Sequence, residues 1–251
     1  MDSLILLGDG TAHEFCFVAS ALRAIGTPYA LIGANALLLH GVRLPRTTRD
    51  LDFIVAIEAS FQHVTQVLLE QGFRHGKIPH RFYTPEGTQV DILPITKRAI
   101  ETGFIEFPDG ERLSALGFSE ALTHAKEKPV GDCVVSVAPL PILVALKILA
   151  ATKRYGSDLQ DAIACMKQYE EQGARRFDDV VYTESLTFET AGAYLLGRDL
   201  TSMATAKTLV AVEEALDALR QNAQPSTRTV NRSETDSLLR ALASGVGLES
   251  L

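Results

Sequence analysis

The chain has 251 residues, 46% hydrophobic and 22% charged, enough apolar material for one large core or two modest ones and too much for a disordered chain. With 24 Lys and Arg against 31 Asp and Glu, a formal net charge of -7, it is not coated in the basic surface that grips nucleic acid nonspecifically, although one local basic patch is compatible with that balance. The three cysteines, Cys16, Cys133 and Cys165, form no CxxC pair and no Cys/His cluster, so neither a disulfide framework nor a structural zinc site is expected.

The first ten residues are acidic where a secretory signal would be basic. No apolar stretch reaches the roughly 20 residues that span a bilayer. A cytoplasmic protein with no membrane span is the expectation.

Residues 12–25 place Phe15, Val18, Ala19, Leu22 and Ile25 at helical spacing, and Gly26 ends the run. Residues 29–32 read as a short apolar strand, Gly33 breaks it, and 34–41 opens a helix. A strand is expected over 50–57 and an amphipathic helix over 60–71. Strands at 80–83 and 88–93 flank Thr84, Pro85, Glu86 and Gly87, a hairpin signal. A second strand pair is expected near 104–107 and 112–116, and another strand over 133–137. After Pro139 and Pro141 the pattern turns helical, over 141–152, 158–171, 187–196 and 202–221; proline is tolerated in a first helical turn because its missing N–H would be unpaired there. The fold class is therefore α/β, with an α/β part over 1–135 and a helical part over 136–251. The polar stretch 221–234 reads as a linker or mobile segment.

One stretch carries chemistry. Gly33 and Ala34 open a helix, and Arg46, Thr47, Thr48 and Arg49 lead into Asp50, Leu51, Asp52 and Phe53. Side chains alternate along a strand, so Asp50 and Asp52 project from one face while Leu51, Phe53 and Val55 face a core. Paired carboxylates repel unless a cation sits between them, and hard oxygen donors suit Mg²⁺ or Mn²⁺. Asp91 stands alone among Val90, Ile92 and Leu93 in a strand that ends at Pro94. An adjacent strand would bring it beside the pair, and three carboxylates can hold two metals about 4 Å apart for an in-line phosphoryl displacement. The free N–H groups of the helix that Gly33 opens can accept a phosphate.

A glycine turn opening a helix, an Asp-x-Asp on a strand and a lone Asp on a later strand resemble the motif set of the polymerase-β-like nucleotidyltransferases. The wording LIGANALLLHG, PRTTRDLDFIV and VDIL is most similar to the bacterial AbiEii/AbiGii toxin-type branch. In the helical half, LVALKILAATKRYGSDLQDAI resembles that branch's Lys-containing helix, basic loop and Asp-Leu-x-Asp; together the matches span about 30–165. The chain departs from the pattern at Ala34, where Gly or Ser is usual, in the 15 residues between Ala34 and Asp50, and at Ser157, where a basic residue often precedes the Asp.

The resemblance implies a minimal mixed-sheet catalytic domain followed by a helical domain, and Mg²⁺- or Mn²⁺-dependent transfer of an NMP from an NTP such as ATP to a hydroxyl. Asp50, Asp52 and Asp91 would be the metal ligands and catalytic carboxylates, with Asp91 helping to deprotonate the acceptor. Gly33 and Ala34 would bind the triphosphate. Lys147 is the foremost cation for the phosphates, with Arg46, Arg49, Lys153 and Arg154 secondary, while Asp158 and Asp161 would position that helix or contact Lys147. The acceptor would be RNA, such as a tRNA 3′ end, or a protein hydroxyl, in a toxin paired with a cognate antitoxin.

Blander readings stand beside these. Asp158 and Asp161 lie in a helix's first turn, where acids favour the dipole, and Lys147 on an apolar helix can be a snorkelling lysine. Two rival functions also remain. A small-molecule, antibiotic-type nucleotidyltransferase would show a compact acidic pocket able to take a cationic sugar. A degenerate module would bind nucleotide or a partner without turnover.

Overall fold

Apolar runs broken by turn-forming residues build a seven-stranded mixed sheet in the first of two units of this computed structural model. The structure describes residues 9–58, 60–107, 110–153, 156–182, 186–221 and 232–247. Unit 1 comprises Met1–Gly41 and Arg46–Pro139, and unit 2 comprises Val42–Pro45 and Leu140–Leu251.

In unit 1 the chain order is α1 (Asp9–Ile25), β1 (Tyr29–Ile32), α2 (Gly33–Leu39), β2 (Leu51–Ala56), α3 (Phe61–Glu70), β3 (Arg74–His75), β4 (Arg81–Tyr83), β5 (Gln89–Ile95), α4 (Lys97–Thr102), β6 (Phe104–Glu106), β7 (Arg112–Ser114), α5 (Phe118–Thr123), β8 (Lys126–Val130) and β9 (Cys133–Val137). The sheet runs β3-β4-β5-β2-β1-β9-β8, and β6 and β7 form a separate ribbon. The central strand β2 lies antiparallel to β1 and parallel to β5. Phe53, Ile54 and Val55 are all fully buried, the two-faced burial of an interior strand. Phe15, Val18 and Leu22 of α1 join the same core.

Strand β5 does not end before Pro94, as the sequence suggests; it runs through to Ile95. Ile92 donates its N–H to His80 on the β4 side, so position 94 points the same way, beyond the end of β4. The missing proline N–H therefore costs no ladder bond. Strand β8 was not expected either, because Lys126, Glu127 and Lys128 mask its alternation. Charge of that kind is what keeps a sheet edge from pairing with other chains.

The expectation of no disulfide is corrected. Cys16 and Cys133, 117 residues apart, form a disulfide, while Cys165 is free and buried. The pairing arises because α1 packs on β8 and β9, a tertiary relation that cysteine spacing cannot register. Disulfides persist in oxidising compartments and are rare in the cytosol, so this bond weighs against the cytoplasmic expectation.

Unit 2 contains α6 (Leu140–Ala151), α7 (Ser157–Gln168), α8 (Ala174–Tyr182), α9 (Phe188–Thr201), α10 (Ala206–Gln221) and α11 (Arg232–Val246). Helices α9 and α11 pack backbone to backbone: a Cβ at Gly197 would run into the Leu242 carbonyl, and one at Gly245 into that of Tyr194. The expected linker 221–234 lies outside the described residues except at its ends, where Gln221 closes α10 and 232–234 open α11. Among the described residues no helix is long and apolar enough to cross a membrane.

His40, capping α2, hydrogen-bonds the Ala138 carbonyl through Nε2 at 2.8 Å. Burial, reinforced by the nearby Lys128 charge, lowers its pKa from 6.5 to about 4. The folded protein thus binds fewer protons than the unfolded chain between those values, and stability is lost as pH falls through that window. The loss amounts to about 3 kcal/mol at full protonation. Urea unfolding at about pH 7 and about pH 4 should show wild type losing that increment relative to His40→Gln, which keeps an N–H donor but does not titrate.

Candidate active site

The register of three strands assembles the acidic residues. In the parallel β2–β5 pair, Asp52 lies opposite Asp91, and in the antiparallel β1–β2 pair it lies opposite Ile32. Registered neighbours in a sheet present their side chains on one face, so Asp52 and Asp91 are brought side by side. Asp50 sits just ahead of β2. Asn35 of α2, 2% exposed, donates its Nδ2 to the Asp50 carbonyl at 2.7 Å, which ties the segment entering β2 to the helix that follows β1. The exposed Asp50 carboxylate accepts from Thr48 Oγ1 at 3.3 Å and from the Arg49 N–H at 3.4 Å.

Gly33 is required twice over. Its φ of 72° lies in the left-handed region, and a Cβ there would run into Asp52 Oδ2. Glycine removes both obstacles, so the Asp52 carboxylate rests against the turn that opens α2. That turn has no side-chain cap: its N-cap residue is Ile32.

Arg81 on β4 was not foreseen. It lies opposite Asp91 across the β4–β5 pair and grips it at both oxygens, Nε to Oδ1 at 2.8 Å and Nη2 to Oδ2 at 2.7 Å. This bidentate geometry is the strong form of an ion pair. The Asp91 hydrogen bonds raise the Arg81 pKa against the opposing effect of burial. Asp50 and Asp52 offer hard oxygen donors that suit Mg²⁺ or Mn²⁺, whereas both oxygens of Asp91 are engaged by a guanidinium. Among the described residues no three acidic, histidine or cysteine side chains converge closely enough to hold a metal ion. The residues fit a hard cation at the Asp50–Asp52 end, and each Asp91 oxygen, accepting one Arg81 hydrogen bond, keeps a second lone pair.

A cavity of about 520 Å³ adjoins Asp50 and includes Glu14, Asn35, Arg49 and Glu86 in its lining. Glu14 of α1 is 8% exposed, and its Oε2 has no hydrogen-bond partner among the described residues. The sequence held a weak signal for Asn35, the lone polar residue in the run from Ala34 to Leu39, and none for Glu14.

Lys147, Asp158 and Asp161 belong to unit 2. The Lys147 ammonium lies 2.8 Å from Asp158 Oδ1 and 2.9 Å from Asp161 Oδ2. Asp161 is completely buried. Burial alone would lower the Lys147 pKa, but the two carboxylates outweigh it and hold the ammonium above its ordinary value. Burial, with the Asp161 charge, pushes the adjacent Cys165 thiol up to about 12. Of the remaining cations, Arg43 pairs with Glu171 at 2.9 Å within unit 2, Arg46 is half-buried, Arg49 and Lys153 are exposed, and Arg154 lies outside the described residues.

No protein-family model matches the sequence, and no curated protein matches it. Among solved structures, it is similar to an antigenic nucleotidyltransferase-like protein from Paracoccidioides brasiliensis, with 16% identity, 92% of each chain covered and a TM-score of 0.48. It is also similar to the antibiotic-resistance factor ANT(2'')-Ia, with 12% identity over 63% of this chain and 84% of that one and a TM-score of 0.43. The lincosamide antibiotic adenylyltransferase LnuA, in its lincomycin-bound form, gives 19% identity over 53% of this chain and 82% of that one, with a TM-score of 0.37.

Removing one partner of a buried ion pair leaves the other charge uncompensated, at about 3–5 kcal/mol. Lys147→Met should therefore destabilise the helical unit by about that amount in urea unfolding, far more than the loss of an exposed lysine.

Proposed function

We propose that this chain is a divalent-metal-dependent nucleotidyltransferase that moves an NMP from an NTP to a hydroxyl and releases pyrophosphate. The observation that carries the reading is the registered pair Asp52–Asp91 beside the Gly33 turn, which joins residues from three separate stretches of the chain in the arrangement this chemistry needs.

Asp50 and Asp52 hold the Mg²⁺ or Mn²⁺. Bound there, the ion supplies charge neutralisation for the triphosphate and for the departing pyrophosphate. The uncapped N–H groups at Gly33 and Ala34 hold the phosphate tail, and Arg46 and Arg49 add positive charge ahead of Asp50. Asp91 takes the proton of the acceptor hydroxyl. That oxygen then attacks the α-phosphorus, and the bond to the bridging oxygen breaks so that pyrophosphate leaves with the electron pair. Arg81 answers the Asp91 charge through one hydrogen bond to each oxygen, which favours the ionised form that can accept a proton.

Two acceptor classes follow. The sequence resemblance points to RNA, such as a tRNA 3′ end, or to a protein hydroxyl, in a toxin held by a cognate antitoxin. The cavity supports a second reading: Glu14 and Glu86 line it along with Arg49, a balance that disfavours phosphodiesters and suits a small cationic acceptor.

The test is transfer from each of the four α-³²P-labelled NTPs with Mg²⁺ or Mn²⁺. Total RNA, lysate protein and amino sugars serve as acceptors in separate arms. Label should move to one acceptor class, and Asp52→Asn should reduce it at least about 10²-fold. Metal-dependent NTP binding with no transfer in any arm would instead mark a non-catalytic binding module.

A further inference from the structure

The first turns of α1 form one wall of the cavity beside Asp50, through Thr11 and Glu14, and their own packing holds them weakly. The buried apolar side chains of α1 begin at Phe15 and continue through Val18, Ala19 and Leu22. Ahead of them Ala12 faces the turn between β8 and β9, where a Cβ at Gly131 would lie 3.5 Å from it. Glu14 works against the arrangement. It is more than nine-tenths buried, and its Oε2 has no hydrogen-bond partner among the described residues. A carboxyl group taken from water without a partner favours any conformation that returns it there.

What opposes that release is covalent. Cys16, two residues beyond Glu14, is bonded to Cys133 at the start of β9. Both cysteines are half-buried, so a small reductant reaches the bond, and accessible disulfides are the labile and regulatory ones. Each sulfur lies 3.3 Å from the Val130 carbonyl oxygen, which gives either freed thiol an acceptor for its S–H. Reduction therefore strands neither sulfur. The third cysteine does not compete. Cys165 is fully buried in unit 2, and burial keeps its thiol from ionising to the thiolate that exchange requires.

We propose that the Cys16–Cys133 bond is a redox-sensitive clamp on the first turns of α1. Oxidised, it keeps Glu14 in the cavity wall; reduced, it lets residues 11–14 open while Phe15, Val18 and Leu22 keep the rest of the helix on the sheet. The reductant is a dithiol. Its thiolate attacks one sulfur, and the S–S bond breaks with the electron pair leaving on the other. The reductant's second thiol then resolves the mixed disulfide. The protein gains two electrons and two protons, and the dithiol becomes a disulfide. As regulation of nucleotidyl transfer the clamp rests on that reading. As a local opening it stands without it, and its first test omits both NTP and metal.

The full chain is oxidised or treated with dithiothreitol, its reactive cysteines are counted by alkylation and mass, and amide hydrogen exchange is followed along α1. Reduction should make two cysteines reactive and leave Cys165 unlabelled. Exchange at His13 to Cys16 should quicken at least about tenfold, while Ala21 to Ile25 change less than about twofold. The double variant Cys16→Ser/Cys133→Ser should exchange like reduced wild type with or without dithiothreitol. Glu14→Gln should lessen the effect of reduction, because it removes the acid whose burial drives the opening. The proposal is overturned if the folded chain resists dithiothreitol, if reduction leaves His13 to Cys16 unchanged, or if Glu14→Gln opens as wild type does. Equal loosening along all of α1 would overturn it too, marking a purely structural bond. In the transfer assay the two redox forms should differ at least about threefold in rate; equal rates would overturn the regulatory role. A chain that opens on reduction yet transfers no nucleotide in either form would overturn the enzymatic reading and leave the clamp standing.

Discussion

Two carboxylates set side by side on one face of a sheet repel, and the arrangement lasts only where positive charge answers them. That constraint organises the first unit. Parallel pairing of β2 and β5 puts Asp52 next to Asp91, and antiparallel pairing of β4 puts Arg81 on Asp91's other side. Glycine at position 33 leaves room for the Asp52 carboxylate against the turn after β1. None of these residues is interchangeable: a side chain at 33 meets Asp52, a one-residue slip of β4 removes Arg81 from Asp91, and loss of Arg81 leaves a nearly buried acid alone. The charged set thus lies on interior strands of the sheet, β4, β5 and β2.

The helical unit solves a related problem without an evident ligand. Lys147 sits between Asp158 and Asp161, so the acids in the first turn of α7 do more than favour the helix dipole: they answer a buried ammonium from α6. The three charges fix the α6–α7 pair in one register. A buried polar set of this kind specifies a packing more than it adds stability.

Much of the fold was legible in the sequence because its signals are local. The strands around 29–32, 51–56 and 89–95 are apolar runs cut by glycine and turn residues, and α6, α7, α9 and α10 follow from a 3.6-residue period, whereas α8 was not expected. Asp50, Asp52 and Asp91 stood out as acids among apolar neighbours. Features that depend on tertiary register stayed hidden. A four-residue hairpin over 84–87 would pair Tyr83 with Thr88 and send Arg81 to the opposite face from Asp91. Here the loop is one residue longer, Tyr83 pairs with Gln89, and that one residue reverses the parity. The Cys16–Cys133 bond and the burial of Glu14 depend likewise on where α1 lies on the sheet, and no pattern within α1 encodes that.

Asp50 and Asp52 are proposed to hold a divalent cation for a nucleotide. The most direct measurement is binding of Mn²⁺, with and without ATP, followed by the loss of the free-ion signal in electron paramagnetic resonance. Wild type is expected to bind Mn²⁺ saturably and more strongly with ATP, and Asp52→Asn at least about tenfold more weakly. Equal Mn²⁺ affinity in wild type and Asp52→Asn, with no effect of ATP, would contradict it.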